Sequence, residues 1–467
     1  MRPKLKRTVV TPMSIIKQGS LFDIQDLFDL EPPKRFDAIF STLDIEPILY
    51  SISKKSIYGA PTGLNYGAML YSLVARIVER IPTVKDLRKR LKHDFIFRME
   101  CGFLFSDTLP SEASYSRLVQ KLSETTILEK IQKKVVLQAI NEKFINDDVV
   151  AIDATHFESR DRGHAQEKQP KQEPKKRGRK SKAEKEMYDM QKKEQEAQKS
   201  LYEKTIADQL DATLEDLRSQ VPVKPDWGIK KNSEGKNVFW FGYKAHLVVG
   251  TKSQYILGSL MSSGSLNDGK AAIPLLKGIQ SLLPKPLRYG IMDAGYDYVP
   301  IYQQIMRMNA NAIIAYNKRN EGEMIGFDSN FAPTCVREFS YRYDSYDTKY
   351  KTLKYVRPIE CKGCPLAHDS LCQKVYKMKI ETDCRKYTAP ARGTQTWNKL
   401  FDQRTSVERV NAYLKEFFQL NNVRYRTGKR AKVHFDLVTL VYNASKLAVD
   451  RIRKELDDKK KTQKVVA

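Results

Sequence analysis

Residues 149–153 read Val-Val-Ala-Ile-Asp, a short and continuous apolar run that ends in a carboxylate. A run of this kind is typical of a strand that is buried on both faces of a sheet. Residues 289–293 repeat the pattern as Tyr-Gly-Ile-Met-Asp. If the two strands are adjacent and parallel, Asp153 and Asp293 open at the same edge of the sheet, which is where α/β folds bind their ligands.

Strand-like and helix-like segments alternate around these two runs. Apolar patterns predict strands over 238–249, 255–261 and 312–315, and helices over 271–283, 299–308, 396–418 and 432–456. The order of the elements is close to that of a ribonuclease H-like core once the segment that follows the first strand is set aside. We therefore predict an α/β fold with a ribonuclease H-like, mixed-sheet core.

The predicted domains are an all-α N-terminal domain, a divided core, two insertions and a tail. The all-α domain covers 1–145, the core covers 146–159, 236–317 and 396–456, the insertions cover 160–235 and 318–395, and a basic tail covers 457–467. We expect the first insertion to begin as a disordered basic arm and to continue as an exposed helix over 181–217. The second insertion is expected to be β-rich, because residues 339–343 alternate as strands do.

Two segments predict contact with DNA. In the all-α domain, Thr83 is expected to cap a basic helix over 84–97, and another short helix is expected to begin at Ser111. This pair is typical either of a helix-turn-helix or of a helical bundle with a solvated basic face. In the first insertion, Arg177 and Arg179 flank a glycine as in the core of an AT-hook, which enters narrow minor grooves. A solvated basic linker is the alternative there.

The net charge of +26 indicates a polyanionic partner, because neutralising phosphates releases condensed counterions. Ribosomal-type RNA binding and membrane-surface binding are compatible with the same charge. The net charge therefore indicates a class of partner but does not indicate a reaction.

No stretch reaches the roughly 18 uncharged apolar residues of a membrane span. No apolar segment of a secretory signal follows the basic start. The six cysteines in 467 residues predict a protein of a reducing, intracellular compartment.

The two aspartates suit metal-dependent phosphodiester chemistry. Cleavage without a covalent intermediate requires an activated water and a stabilised leaving oxygen, and two divalent ions about 3.5–4 Å apart provide both. Magnesium prefers oxygen ligands, so carboxylates must converge from different elements. Glu408, on the helix predicted over 396–418, is the third candidate beside Asp153 and Asp293.

One face of that helix carries a carboxylate between two cations. At about 100° per residue, Phe401, Arg404, Glu408 and Lys415 fall within about 60° of one another. Glu408 could then bind metal while Arg404 and Lys415 hold phosphates. The alternative is a surface helix with an i, i+4 ion pair between Arg404 and Glu408.

The spacing Arg404-x3-Glu408-x6-Lys415 resembles the Tyr–Arg–Glu–Lys signature of bacterial insertion-sequence transposases of the DDE type. Phe401 stands where that signature has its tyrosine, so the ring is kept and the hydroxyl is lost. The resemblance extends to segments 152–155, 242–246, 267–268 and 292–297, and more loosely to the predicted all-α N-terminal domain. It covers nearly the whole chain except the insertions.

The resemblance implies a DNA transposase, which is an endonuclease and strand transferase acting on the terminal inverted repeats of its element and on target DNA. Asp153, Asp293 and Glu408 would be catalytic and would bind Mg²⁺ or Mn²⁺, while Arg404, Lys415 and Phe401 would contact the double-stranded DNA. We expect a bacterial cytoplasmic, nucleoid-associated protein without a membrane partner. Pairing of element ends predicts a homodimer on DNA. A catalytically idle, transposase-derived DNA-binding protein and a host ribonuclease H-like nuclease are the alternatives.

Other polar residues near these motifs are rivals for the site. Four further carboxylates are interpreted as solvated, capping or supporting groups: Glu158, Asp161, Asp268 and Asp297. His246 is interpreted as a structural histidine, with contact to a phosphate as the alternative.

A cysteine group in the second insertion predicts a structural zinc site. Cys361 and Cys364 form a Cys-x2-Cys pair, and Cys372 and Cys384 follow. His368 or Cys335 could replace one ligand. The later cysteines lack the x2 spacing of a standard zinc ribbon, so four reduced thiols are the alternative.

Overall fold

The computed structural model describes residues 30–52, 63–163, 182–231, 234–322, 324–366 and 372–466. The chain divides into two compact units, of which the first contains the described residues up to Glu112 and those from Val441 onward. The second contains Ala113–Leu440. This boundary differs from the predicted one at residue 145, because the helices between residues 113 and 141 belong to the unit that carries the sheet.

The described N-terminal part of the first unit is helical. Its helices are α1 (Pro32–Phe40), α2 (Glu46–Ile52), α3 (Tyr66–Val78), α4 (Val84–His93) and α5 (Phe95–Glu100). Thr83 caps α4 as predicted, since its Oγ1 accepts a hydrogen bond of 3.0 Å from the Asp86 N–H. The helix predicted over 84–97 is two helices, because Asp94 leaves the helical conformation and caps α5 through a 2.9 Å hydrogen bond from the Phe97 N–H.

The second unit is built on a mixed sheet. Its strands are β1 (Val149–Glu158), β2 (Asp226–Lys231), β3 (Asn237–Gly250), β4 (Ile256–Ser263), β5 (Tyr289–Met292) and β6 (Asn311–Ile314). β2, β3, β1, β5 and β6 lie in that order, and β4 also pairs with β3. β1 is antiparallel to β3 and parallel to β5, which is in turn parallel to β6. The predicted α/β fold with a mixed sheet is confirmed.

The other helices lie before, between and after these strands in the chain. They are α6 (Glu112–Ser123), α7 (Ile127–Asn141), α8 (Lys182–Gln198), α9 (Leu214–Ser219), α10 (Gly269–Gln280), α11 (Val299–Arg307), α12 (Gln395–Phe401), α13 (Thr405–Glu416) and α14 (Gly428–Val466). α14 continues from the second unit into the first at Val441. α13 lies against β1 and β3 and buries Val407, Val410 and Leu414, which recur at helical spacing. Among the helices of the described residues, none is both long and apolar enough to cross a membrane.

Three further details of the sequence prediction are wrong. The helix predicted over 181–217 ends at Gln198, and Thr213 begins a separate helix by accepting a 3.1 Å hydrogen bond from the Asp216 N–H. The helix predicted over 396–418 is divided into α12 and α13 by a tight turn at Asp402–Arg404. β2 has no counterpart in the prediction, because most of its side chains are exposed and no buried face marks it.

The second insertion contains a small antiparallel sheet. Its strands are β7 (Arg342–Asp347), β8 (Thr352–Val356) and β9 (Val375–Lys379), with β8 in the middle. The strand predicted over 339–343 therefore begins later than expected. The register pairs Val356 with Val375 at one end and Thr352 with Lys379 at the other, so residues before β9 and residues after it leave opposite ends of this sheet.

Candidate active site

Asp153 and Asp293 occupy equivalent positions on neighbouring strands. β1 and β5 are parallel and adjacent, as expected, and their register pairs Ala151 with Ile291. Each aspartate lies two residues beyond that pair, on strands that are about 4.8 Å apart. The sheet thus brings together two carboxylates that are 140 residues apart in the chain.

Both carboxylates lie where negative charge is unfavourable. Burial raises the pKa of Asp153 to about 7, and the negative charge of Asp293 adds to this shift while the Arg404 guanidinium opposes it. Burial also raises the pKa of Asp293, although its Oδ1 accepts a 2.9 Å hydrogen bond from the Gly295 N–H. A cation placed between the two carboxylates would relieve both the desolvation and the repulsion.

Glu408 reaches the same region from α13, but it is held by a neighbour. Its Oε1 lies 2.7 Å from Nη1 of Arg404, so the i, i+4 ion pair that the sequence left open is present. Arg404 also lies over the Phe401 ring at 5.7 Å, and that ring stacks on Trp397 with centroids 5.0 Å apart. Glu408 raises and Arg404 lowers the pKa of Asp153, so both side chains lie near this aspartate.

The three predicted metal ligands do not form a closed ligand set. Within the described ranges, no three side chains of histidine, cysteine, aspartate or glutamate are arranged to hold a metal ion. Asp153 and Asp293 are adjacent, whereas Glu408 is paired with Arg404. The donor chemistry still fits a hard divalent cation, because all three candidates offer carboxylate oxygens, and Asp153 and Asp293 are half-buried.

Asn411 is a site residue that the sequence prediction missed. Its Nδ2 donates a 3.2 Å hydrogen bond to Oδ2 of Asp153, and its buried Oδ1 has no hydrogen-bond partner among the described residues. The spacing from Glu408 to Asn411 is three residues, which places both on the same side of α13. That spacing could have indicated Asn411, but the search for metal ligands and phosphate-binding groups considered charged side chains, and the amide of Asn411 is neutral.

A basic and aromatic group adjoins the aspartates. Burial lowers the pKa of Lys415 and the nearby Lys230 adds to this effect, while Asp153 opposes it. Burial and the charge of Lys415 lower the pKa of His156 to about 4, so this ring is neutral at pH 7. His156 lies against Trp240 with ring centroids 4.7 Å apart. Lys415 is therefore close to Asp153.

Comparison with known families adds an independent observation. Residues 202–444, more than half of the chain, match the family model described as the transposase DDE domain. The chain belongs to this transposase family. The matched range contains Asp293 and Glu408, and Asp153 precedes it. A search of curated proteins finds no significant match.

The rival carboxylates of this transposase have other partners or are exposed. Oδ1 of Asp268 lies 2.8 Å from Nζ of Lys244, and Oδ2 of Asp161 accepts a 3.0 Å hydrogen bond from the Thr427 N–H. Asp297 is fully buried and bound by Arg385, and Glu158 is exposed. Neither Asp153 nor Asp293 forms an ion pair among the described residues, and Asp268 lies near enough to Asp293 to raise its pKa.

His246 is part of the sheet interior. The side chain is fully buried on β3, and its Nε2 lies 2.7 Å from the Ser262 hydroxyl. Burial lowers its pKa to about 4. These contacts suit the structural role.

The structure does not bring the four predicted zinc ligands together. All six cysteines are free thiols. Cys361, Cys364 and Cys372 precede β9 and lie toward one end of the small sheet, whereas Cys384 follows β9. Cys384 instead lines a cavity of about 310 Å³ together with Tyr302. The predicted alternative ligand Cys335 lies near the other three cysteines, since the pKa of the Cys361 thiol is raised by burial and by nearby Cys372, Cys335 and Cys364. The other alternative, His368, lies outside the described residues, as do the AT-hook-like Arg177 and Arg179.

Proposed function

We propose that this transposase cuts double-stranded DNA at the terminal inverted repeats of a mobile element and joins the freed 3′-OH to target DNA. The observation that carries the proposal is the pair Asp153 and Asp293, held at equivalent positions on adjacent parallel strands. Membership of the transposase DDE family supports the same reaction class. The cations Arg404 and Lys415 next to this pair suit a phosphodiester substrate.

Asp153, Asp293 and Glu408 are proposed to hold Mg²⁺ or Mn²⁺, the kind of divalent ion that enzymes of this family use. When bound, such ions activate a water and stabilise the leaving oxygen in phosphodiester cleavage. The raised pKa of each aspartate supports this assignment, because a carboxylate pair that is buried without a cation is unstable in its charged form.

The protein's own side chains orient these groups. Asn411 donates a hydrogen bond to Oδ2 of Asp153, and the backbone of Ala154 also hydrogen-bonds to this carboxylate. The planar guanidinium of Arg404 can bind a phosphate in the bidentate way in which it binds a carboxylate. We expect a DNA phosphate to replace Glu408 as the ion-pair partner of Arg404. Substrate binding would then release the Glu408 carboxylate, the third proposed metal ligand. Lys415 and Phe401 are proposed to contact the same DNA.

Two alternatives remain distinct from this proposal. A catalytically idle DNA-binding derivative would bind element ends without cutting them, and a host ribonuclease H-like nuclease would act on DNA without terminal repeats. The family match favours neither. A homodimer on paired ends, DNA contact by the N-terminal helices, a location at the bacterial nucleoid and structural zinc on the cysteines stay predictions.

Strand cleavage tests the proposal. Labelled DNA that carries the flanks of the gene is incubated with Mg²⁺, Mn²⁺, Ca²⁺ or chelator, with wild type beside Asp293→Asn. Asp344→Asn is the matched control, because Asp344 is exposed on the small sheet and pairs only with Lys354 at 3.0 Å among charged neighbours in the described residues. We expect Mg²⁺-dependent nicks at a repeat boundary from wild type and from the control, and none from Asp293→Asn.

Two results would contradict the proposal. Binding of all three proteins to the DNA without cleavage in Mg²⁺ or Mn²⁺ would support the idle derivative. Metal-dependent cleavage at sites unrelated to any repeat would support a host nuclease.

A further inference from the structure

An open groove of about 1000 Å³ lies in the second unit beyond the end of β1. Its walls come from three separated segments, residues 161–162, 223–225 and 426–430, together with the end of α6. Gly428 allows the segments to meet, because a Cβ at this position would lie 1.7 Å from the Val223 carbonyl oxygen. The groove is therefore a product of tertiary packing, and no single segment of the sequence forms it.

The lining of the groove is strongly basic. Arg162, Lys224, Arg426 and Lys429 line it with exposed side chains. Among the described residues, no carboxylate forms an ion pair with these four cations. Asp161 is the one carboxylate of the described lining, and the backbone N–H of Thr427 already donates to it. Four cations around a cavity, without ion-pair partners in the described part of the chain, create a strong local attraction for a polyanion.

The groove lies beyond the end of the strand that carries Asp153. Asp153 and Glu158 belong to the same strand, and about 3.3 Å per residue separates them by roughly 17 Å. The groove begins three residues after Glu158, at Asp161. A duplex has one phosphate per 3.4 Å along each strand, so the distance corresponds to roughly five to eight base pairs.

We propose that this basic groove binds the DNA sugar–phosphate backbone roughly five to eight base pairs from the phosphate that is cut. The inference rests on the proposed function for the position of the cut, but the binding itself depends only on the groove. Its cations are flexible side chains from loops and a helix end, which suits contacts to phosphates and not the reading of bases. The groove thus fixes the register of the duplex relative to Asp153 and Asp293.

The salt dependence of DNA binding tests this site. The variant carries Arg162→Gln, Lys224→Gln and Lys429→Gln, and its affinity for an element-end duplex is measured by fluorescence anisotropy over a salt series in Ca²⁺. Each lost phosphate contact lowers the slope of log K against log[salt] by about 0.9, so the slope should fall by about 2 to 3. Hydroxyl-radical footprinting should lose protection roughly five to eight base pairs from the cut, as the spacing along the strand requires.

A charge-matched control distinguishes the loss of cations in the groove from the loss of any three positive charges on the protein. It carries Lys130→Gln, Lys133→Gln and Lys285→Gln, three exposed lysines that do not line the groove. We expect its slope to stay within about 1 of the wild-type value. Far-UV circular dichroism and the thermal unfolding midpoint of both triple variants, compared with wild type, show whether the fold is retained.

The salt slopes and footprints decide whether the groove contacts the DNA backbone. An unchanged slope in the groove variant, or an equal fall in both triple variants, overturns the inference. A reduced slope and lost footprint in the groove variant alone support it. These binding results are read in Ca²⁺, so they stand whether or not the wild-type protein cuts DNA in Mg²⁺, and failure of the proposed function is seen separately in the cleavage assay.

Discussion

Replacement of Arg385 by methionine should destabilise the second unit strongly. The Arg385 side chain is 11% exposed and its Nη2 lies 2.8 Å from Oδ2 of Asp297, which is fully buried. Nη1 lies 2.6 Å from Oε1 of Glu321, and Nη2 also donates to the Asn317 carbonyl at 2.9 Å. The Arg385→Met variant keeps most of the side-chain volume but leaves the Asp297 carboxylate buried without its cation.

The magnitude follows from the partners that remain. Removing one partner of a buried ion pair costs about 3–5 kcal/mol. Asp297 would still accept hydrogen bonds of 2.8 Å from the Tyr302 hydroxyl and 2.9 Å from the Asn317 N–H, so we expect the lower end, about 3 kcal/mol. At an m-value of about 3 kcal/mol/M, the urea midpoint falls by about 1 M. The double variant Arg385→Met/Asp297→Asn should recover at least about 1 kcal/mol, since its buried amide carries no charge.

Tryptophan fluorescence in urea is a suitable assay, because Trp227, Trp240 and Trp397 all lie in the second unit and report its unfolding alone. The control is Arg288→Met, which removes a 65% exposed arginine from its 3.3 Å pair with Asp148 and should cost below about 1 kcal/mol. A loss below about 1 kcal/mol in Arg385→Met, or no recovery in the double variant, would refute the reasoning, since either result means that Asp297 does not depend on its cation.

Two further predictions concern single side chains. Asn411→Ala removes the 3.2 Å hydrogen bond to Asp153. We expect the single-turnover cleavage rate to fall by at least about tenfold while the DNA affinity is unchanged. Equal rates for wild type and variant would exclude a role of Asn411 in positioning Asp153. Hydrogen bonds from Tyr316, Arg385 and Lys386 lower the pKa of Glu321 to about 2, so its contribution to stability is present above its ordinary pKa and is lost as pH falls toward 2. Because Glu321 is 35% exposed, that contribution should be about 1 kcal/mol. Glu321→Gln should flatten the unfolding free energy between pH 5 and 2, and an unchanged acid dependence would show that other groups cause it.

Much of the core could be predicted from local sequence. The apolar runs before Asp153 and Asp293 are sufficient for β1 and β5, because a strand buried on both faces needs an unbroken apolar stretch. Thr83 begins α4 through a hydrogen bond to a residue three positions later, which is a contact that sequence alone encodes. Features of this kind depend on residues within one turn or one strand.

The contacts between distant segments could not be predicted in this way. Asn411 and Asp153 are 258 residues apart, and Arg385 and Asp297 are 88 apart. The choice between metal ligand and ion pair for Glu408 depends on how α13 approaches the sheet edge, which the helical period alone does not specify. The basic groove likewise needs three segments to converge at Gly428.

The sequence by itself determined which side chains could carry the chemistry: two aspartates that end buried strands, a glutamate between two cations, and a large excess of positive charge. Only the tertiary structure decided which of these side chains meet. The physical reason is that strand and helix periodicities are set by neighbouring residues, whereas the pairing of β1 with β5 and the packing of α13 against β1 arise from burial of apolar surface shared by segments far apart in the chain.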